Sequence, residues 1–182
     1  MALGDGEGVI KIWDIATNEL VGAPFVPRRT IIRGASFDRG GGRLLSWNRQ
    51  EVYLWDVASR TKLLPVMPAG KEVITAIFSP DESRIASAAT APAEVRVFDA
   101  ATGAMLGEPI LGANSNTAAP ISFTADGRFI VTQTPPLPGA PANPNSPNPT
   151  AGLLVWPVPP GSSGQPLPEW LARIASAVAG GE

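Results

Sequence analysis

Three serines of this 182-residue chain, Ser36, Ser79 and Ser122, stand near the ends of apolar runs, where a nucleophile could be presented. A serine attacks only after a base has taken its proton, and the sequence holds no histidine and no cysteine. Lys11, Lys62 and Lys71 could stand in as bases, yet no spacing ties any of them to a serine. The same absences exclude disulfides, thiolate nucleophiles and zinc sites built on Cys or His. Asp81-Glu82 has the form of a carboxylate pair for acid–base work, but in its turn it more simply solvates the loop. Gly40-Gly41-Gly42 lacks the Gly-Lys-Ser/Thr ending of a phosphate-binding loop, and no Asp-X-Asp-X-Asp-Gly run offers a calcium loop. The expectation is a protein that is not an enzyme, with no catalytic residue, cofactor or metal.

Charge is unevenly placed. Residues 28 to 62 carry a net +5, the remainder −7, and the whole chain −2. One reading is a solvated surface whose charges point several ways. The other is a site for an acidic protein partner, with Arg28, Arg29 and Arg33 as contact residues just ahead of a predicted inner strand. Few aromatics lie nearby and the total charge is negative, so nucleic acid is not an expected partner. No apolar run approaches the roughly 18 residues of a membrane span. The N-terminus lacks a basic flank and an apolar signal core, so a cytoplasmic location without membrane contact is expected.

The elements that position these residues follow from punctuation and repetition. Twenty prolines and nineteen glycines are too many for a helical bundle and suit short strands joined by tight turns. Ile10-Lys11-Ile12-Trp13-Asp14 recurs as Val52-Tyr53-Leu54-Trp55-Asp56, as Val95-Arg96-Val97-Phe98-Asp99 and as Leu153-Leu154-Val155-Trp156-Pro157. The first two intervals are 42 and 43 residues, and the third is 58. Its excess matches an uncharged proline-rich insertion at 134–150, read as a solvated extended loop. A second motif keeps the same beat: Ala35-Ser36-Phe37-Asp38, Ala76-Ile77-Phe78-Ser79-Pro80-Asp81 and Ile121-Ser122-Phe123-Thr124-Ala125-Asp126-Gly127. A period near 42 with strands ending in an aromatic residue is that of a four-stranded propeller blade.

On these residues the chain resembles the WD40 repeat family, over roughly residues 5 to 157. Phe78-Ser79-Pro80-Asp81 and the Trp-Asp pairs at 13/14 and 55/56 carry the match, and the likeness is to the C-terminal part of a bacterial member. The resemblance implies an all-β, partial WD40-type β-propeller of three to four blades over residues 1–157, followed by a linker at 158–167. Inner strands are expected near 31–37, 73–78 and 119–123, and second strands near 43–47, 84–88 and 128–132. Third strands are expected near 9–14, 51–56, 94–99 and 152–156, and outer strands near 19–25, 61–66 and 105–110. Asp5-Gly6 reads as the turn before a third strand that nothing precedes, and 19–25 could complete the last blade. A short amphipathic C-terminal helix is expected at 168–180, with Trp170, Leu171, Ile174, Ala175 and Val178 on one stripe.

Blades of this family often bury a hydrogen-bonded tetrad of Trp, Ser or Thr, His and Asp. Here Trp55 with Ser46 and Trp156 with Thr132 retain two members each, and Phe98 replaces the third-repeat Trp without an indole donor. With no histidine, the buried hydroxyls of Ser46, Ser87 and Thr132 are expected to find backbone or water partners. The resemblance implies a non-catalytic protein–protein interaction scaffold, or a sensor appendage of a larger enzyme such as a protein kinase. An arc of blades exposes its end faces, so a longer propeller chain, a second copy or another partner is expected to cover them.

Overall fold

The computed structural model describes residues 2–4, 7–25, 30–111, 121–133 and 153–159. The predicted insertion, the predicted helix, Arg28, Arg29 and most of the predicted linker lie outside these residues. Every regular element described is a β-strand, and the strands form four antiparallel sheets. Blade 1 holds β1 (Ala2–Gly4), β2 (Ile10–Asp14) and β3 (Glu19–Leu20). Blade 2 runs from the inside outward as β4 (Gly34–Phe37), β5 (Arg43–Trp47), β6 (Glu51–Asp56) and β7 (Met67–Pro68). Blade 3 repeats this order with β8 (Val73–Phe78), β9 (Arg84–Thr90), β10 (Ala93–Asp99) and β11 (Ile110–Leu111). Blade 4 contributes β12 (Ser122–Phe123), β13 (Phe129–Gln133) and β14 (Leu153–Pro157).

The third strands of blades 2 and 3 read apolar at successive positions because these sheets are covered on both faces by their neighbours. In blade 2, Leu44, Tyr53 and Trp55 pack with Ile10, Ile12 and Phe25 of blade 1. The alternate residues Leu45, Trp47, Val52 and Leu54 pack on Val73, Ile85 and Phe98 of blade 3. Ala86, Ala88, Val95 and Val97 then face Ile121 and Ile130 of blade 4. Burying side chains of this size stabilises by about 1.5–3 kcal/mol each, so the three seams between sheets hold the fold together. Two local devices tighten the seam between blades 2 and 3. Ile74 is an extra residue in the β8–β9 ladder, and its carbonyl accepts the Trp47 indole N–H at 3.3 Å. Gly34 sits directly opposite Trp47, where any Cβ would overlap the indole ring.

The two retained tetrad pairs are bonded side chain to side chain, which corrects the expectation of backbone or water partners for these hydroxyls. Trp55 Nε1 donates to Ser46 Oγ at 3.0 Å, and Trp156 Nε1 donates to Thr132 Oγ1 at 3.0 Å. In both blades the hydroxyl lies two residues beyond the tryptophan's cross-strand partner, Leu44 or Ile130. Ser87 stands in the same register to Phe98, whose partner is Ile85, and its buried Oγ has no hydrogen-bond partner.

Aspartates ending β2, β6 and β10 cap the turn that follows. Asp14 Oδ1 accepts the N–H of Ala16, Asp56 Oδ1 that of Ser59, and Asp99 Oδ1 those of Ala101 and Thr102. The fourth residue after each, Asn18, Arg60 or Gly103, has a positive φ of 55°, 63° or 75°. The recurring Asp-X-Ala-Thr/Ser-X segments therefore encode one turn three times over.

Three further expectations are corrected. A strand does precede β2: Ala2–Gly4 pairs with Ile10–Ile12. Residues 19–20 stay with their own sheet, Trp13 opposite Leu20, and do not complete blade 4. The continuous outer strands expected at 19–25, 61–66 and 105–110 are each split into two short pairings. Glu19–Leu20 and Phe25 bracket one interruption, Lys62 and Met67–Pro68 a second, Met105 and Ile110–Leu111 a third. Each interruption contains a proline, Pro24, Pro65 or Pro109, which has no N–H to give the ladder.

Candidate functional site

The strands place the loops on two opposite ends of the blades. One end carries the turns that enclose Asp38–Arg43, Ser79–Arg84 and Thr124–Phe129, together with the Asp-capped turns. The other end carries the β5–β6 turn, the β9–β10 turn and the connections that lead from one blade's outer strand into the next blade's inner strand.

On the first end, the residues with catalytic form are structural. Ser79 Oγ donates to Asp81 Oδ1 at 2.6 Å and accepts from Arg84 N at 3.0 Å, which closes its turn. Thr124 and Asp126 repeat this arrangement, with Phe129 N donating to Thr124 Oγ1 at 3.1 Å. In blade 2 an aspartate takes the serine's place: Asp38 Oδ1 accepts Arg43 N, and Oδ2 accepts Arg43 Nε at 3.0 Å. Glu82 is not the second half of a carboxylate pair. Its Oε1 accepts Arg39 N at 2.6 Å and its Oε2 accepts Arg43 Nη2 at 2.9 Å, joining blade 3 to the turn of blade 2. Arg43 also lies over the Phe78 ring at 5.1 Å. Ser36 Oγ is directed at its neighbour's carbonyl, Phe37 O, at 3.4 Å, and Ser122 is exposed. Among the described residues no cluster of three acidic side chains is placed to hold a metal ion.

The other end bears a polar depression of about 840 Å³ over the junction of blades 2 and 3. Its floor is the β5–β6 turn, organised by Asn48, which is only 4% exposed. Asn48 Oδ1 accepts the N–H groups of Gln50 and Glu51 at 2.8 Å each, and its Nδ2 donates to Tyr53 OH and Glu51 Oε2. The Tyr53 hydroxyl also donates to Glu51 Oε2. The far wall is the β7–β8 connection, fastened to that turn by Ala69 N on Gln50 O at 2.8 Å and Val73 N on Arg49 O at 2.9 Å. Gln50, Glu51 and Lys71 continue into a second hollow of about 430 Å³ that reaches Pro92 and Arg96. There Arg96 pairs with the buried Glu94 at 3.0 Å and donates to Pro68 O at 2.9 Å.

Of the three arginines singled out from sequence, the described residues include Arg33. Its Nη2 pairs with Glu72 Oε2 at 2.8 Å, and Arg49 takes the other oxygen of the same carboxylate. Arg60, from the same cationic segment, spans blades 1 and 2: it donates to Val21 O and Ala23 O and lies over the Phe25 ring at 4.8 Å. Much of the +5 surplus is thus matched within the chain by carbonyls and by acids from the following blade. Glu72 and Glu82, which do this matching, carry no sequence motif. For Glu82 a signal exists, because it occupies with φ 59° the turn position held by Gly41 and Gly127 elsewhere.

Four antiparallel sheets stacked through three packed seams, a repeated aromatic-Asp turn and two Trp–hydroxyl bonds define a β-propeller fold, as the WD40 resemblance implies. Among solved structures, the β-propeller domain of Myceliophteria thermophila Cps50 (Swd1) is similar, with a TM-score of 0.62 and 20% identity over 74% of this chain and 47% of that one. The computationally designed Ika8 protein gives a TM-score of 0.59 and 18% identity over 86% of this chain and 42% of its own. The transcription factor unc-37 of Caenorhabditis elegans is 29% identical over 105 residues, 52% of this chain and 17% of that protein. The chain therefore spans under half of either solved chain and under a fifth of the curated relative. No protein-family model matches it.

Proposed function

We propose that the protein is a non-catalytic protein-interaction scaffold whose contact surface is the depression over blades 2 and 3, with Arg28, Arg29 and Arg33 among its contact residues. The observation that carries this reading is a wide polar concavity built from turns that are hydrogen-bonded to one another above a packed seam. Rigid sheets displaying variable loops suit recognition better than turnover. The acidic side chains described around it are held by neighbours: Glu51 by Asn48 and Tyr53, Glu94 by Arg96, Glu72 by two arginines.

The test compares the two loop ends. A photo-crosslinking residue at Gln50 is expected to capture a partner that the same residue at Gly41, at the opposite end of β5, does not. Replacing Arg28, Arg29 and Arg33 together by Glu is expected to abolish that capture while the thermal melt is retained. Equal labelling from both ends, or capture unchanged by the triple substitution, rejects the reading.

A further inference from the structure

The Arg33–Glu72–Arg49 bridge has the make-up of a recognition contact, formed within one chain. Two guanidinium groups from the blade 2 side converge on one carboxylate, each on its own oxygen. This is how a pair of arginines reads an acidic side chain of a partner. Glu72 reaches them from a backbone at φ 56°, in the left-handed region that disfavours any residue with a Cβ. The contact is open to exchange: the side chains of Arg33, Arg49 and Glu72 are 34%, 63% and 28% exposed. Ion pairs so exposed hold weakly and compete with carboxylates from outside. Arg49 and Glu72 line the depression, with the exposed Lys71 beside them.

We propose that this depression docks an acidic segment of a partner protein and that Glu72 is the internal stand-in for the partner's carboxylate. When the partner binds, a Glu or Asp of that segment takes the two guanidinium groups and Glu72 turns away. The inference rests on the scaffold reading above and adds the charge of the partner and the residues that read it. A basic segment fits less well, because each acid lining the two hollows already has a donor of its own.

Fluorescence anisotropy with a labelled glutamate-rich peptide tests it, using a lysine-rich peptide of equal length as the counter-probe. Glu72→Gln frees both arginines. Glu72→Gly does so as well, and glycine adopts φ 56° without strain, so the fold survives even if the glutamine variant is destabilised. Both are expected to bind the glutamate peptide about threefold to fivefold more tightly than the parent chain. The double substitution Arg33→Gln with Arg49→Gln is expected to weaken it by at least as much, and the lysine peptide to be indifferent to all of them. Equal affinity in every variant, no binding of the glutamate peptide, or a lysine peptide weakened by Glu72→Gln each overturns the proposal. If the Gln50 crosslink forms while peptide affinity ignores Glu72, the surface stands as a contact site and only the acidic-partner assignment falls.

Discussion

Ser46 and Ser87 occupy equivalent register positions in blades 2 and 3, are both fully buried, and differ in one respect. Ser46 Oγ accepts the Trp55 indole N–H at 3.0 Å, whereas Ser87 faces Phe98 and has no partner. Replacing each by Ala removes the same atom and must have opposite effects. Ser46→Ala strands a buried N–H, which costs about 1–3 kcal/mol. Ser87→Ala removes a hydroxyl already buried without a bond and is expected to stabilise by about 1 kcal/mol. The two variants should therefore lie about 3 kcal/mol apart. For a chain of this size that is a spread of roughly 6–12 °C in Tm, at about 2–4 °C per kcal/mol. Urea unfolding followed by tryptophan fluorescence reads the same difference as a change in midpoint at constant slope. Thr132→Val, which breaks the matching bond to Trp156, supplies a third point and should fall with Ser46→Ala. If Ser87→Ala destabilises as much as Ser46→Ala, the hydroxyl has a partner and the register argument is refuted.

Acid unfolding is expected to draw on the turn aspartates. Burial pushes Asp38 up, but hydrogen bonds and charge from Arg43 outweigh it and leave its carboxyl below the ordinary 3.8. The N–H and hydroxyl of Ser59 lower Asp56, and the hydroxyl of Ser79 lowers Asp81. A folded value below the unfolded one gives stability that is complete above the unfolded pKa and lost as pH falls through the folded pKa. Asp56→Asn keeps an acceptor oxygen but not the charge, so it should melt somewhat below the parent at neutral pH, lose less stability on acidification, and converge with the parent once Asp56 is protonated. Arg60→Gly keeps the left-handed turn and removes the bonds to Val21 O and Ala23 O and the contact with Phe25. Amide exchange in residues 10–14 and 19–25 should then quicken while that in β8–β10 is unchanged.

The blades were legible in sequence because a period of 42 to 43 residues and a two-residue alternation constrain one another. A slip of one residue would turn Trp55 and Tyr53 away from the blade 1 seam. The second and third strands accordingly fall where the alternation places them, within two residues. The outer strands are half-exposed and two residues long, so proline chemistry overrode the expected pairing there. Gly34 and Ile74 act through close approach and a bulge, and neither leaves a periodic trace. The cationic segment was visible as a surplus, but its meaning was not. The acids that meet it, Glu72 and Glu82, lie some 40 residues further on, in the next blade. Arg33 could thus be named from sequence as a surface residue, while its pairing needed the stacking of two sheets.

The proline breaks in the three outer strands carry a consequence beyond packing. An uninterrupted outer strand offers a row of unsatisfied N–H and C=O groups on which a foreign strand can zip, the first step toward amyloid-like growth. Pro24, Pro65 and Pro109 each limit that template to two or three residues, too short to hold an incoming chain. A protein built of repeated sheets of similar pattern is especially open to such mispairing. Its perimeter is protected by the same residue in every blade whose margin is described.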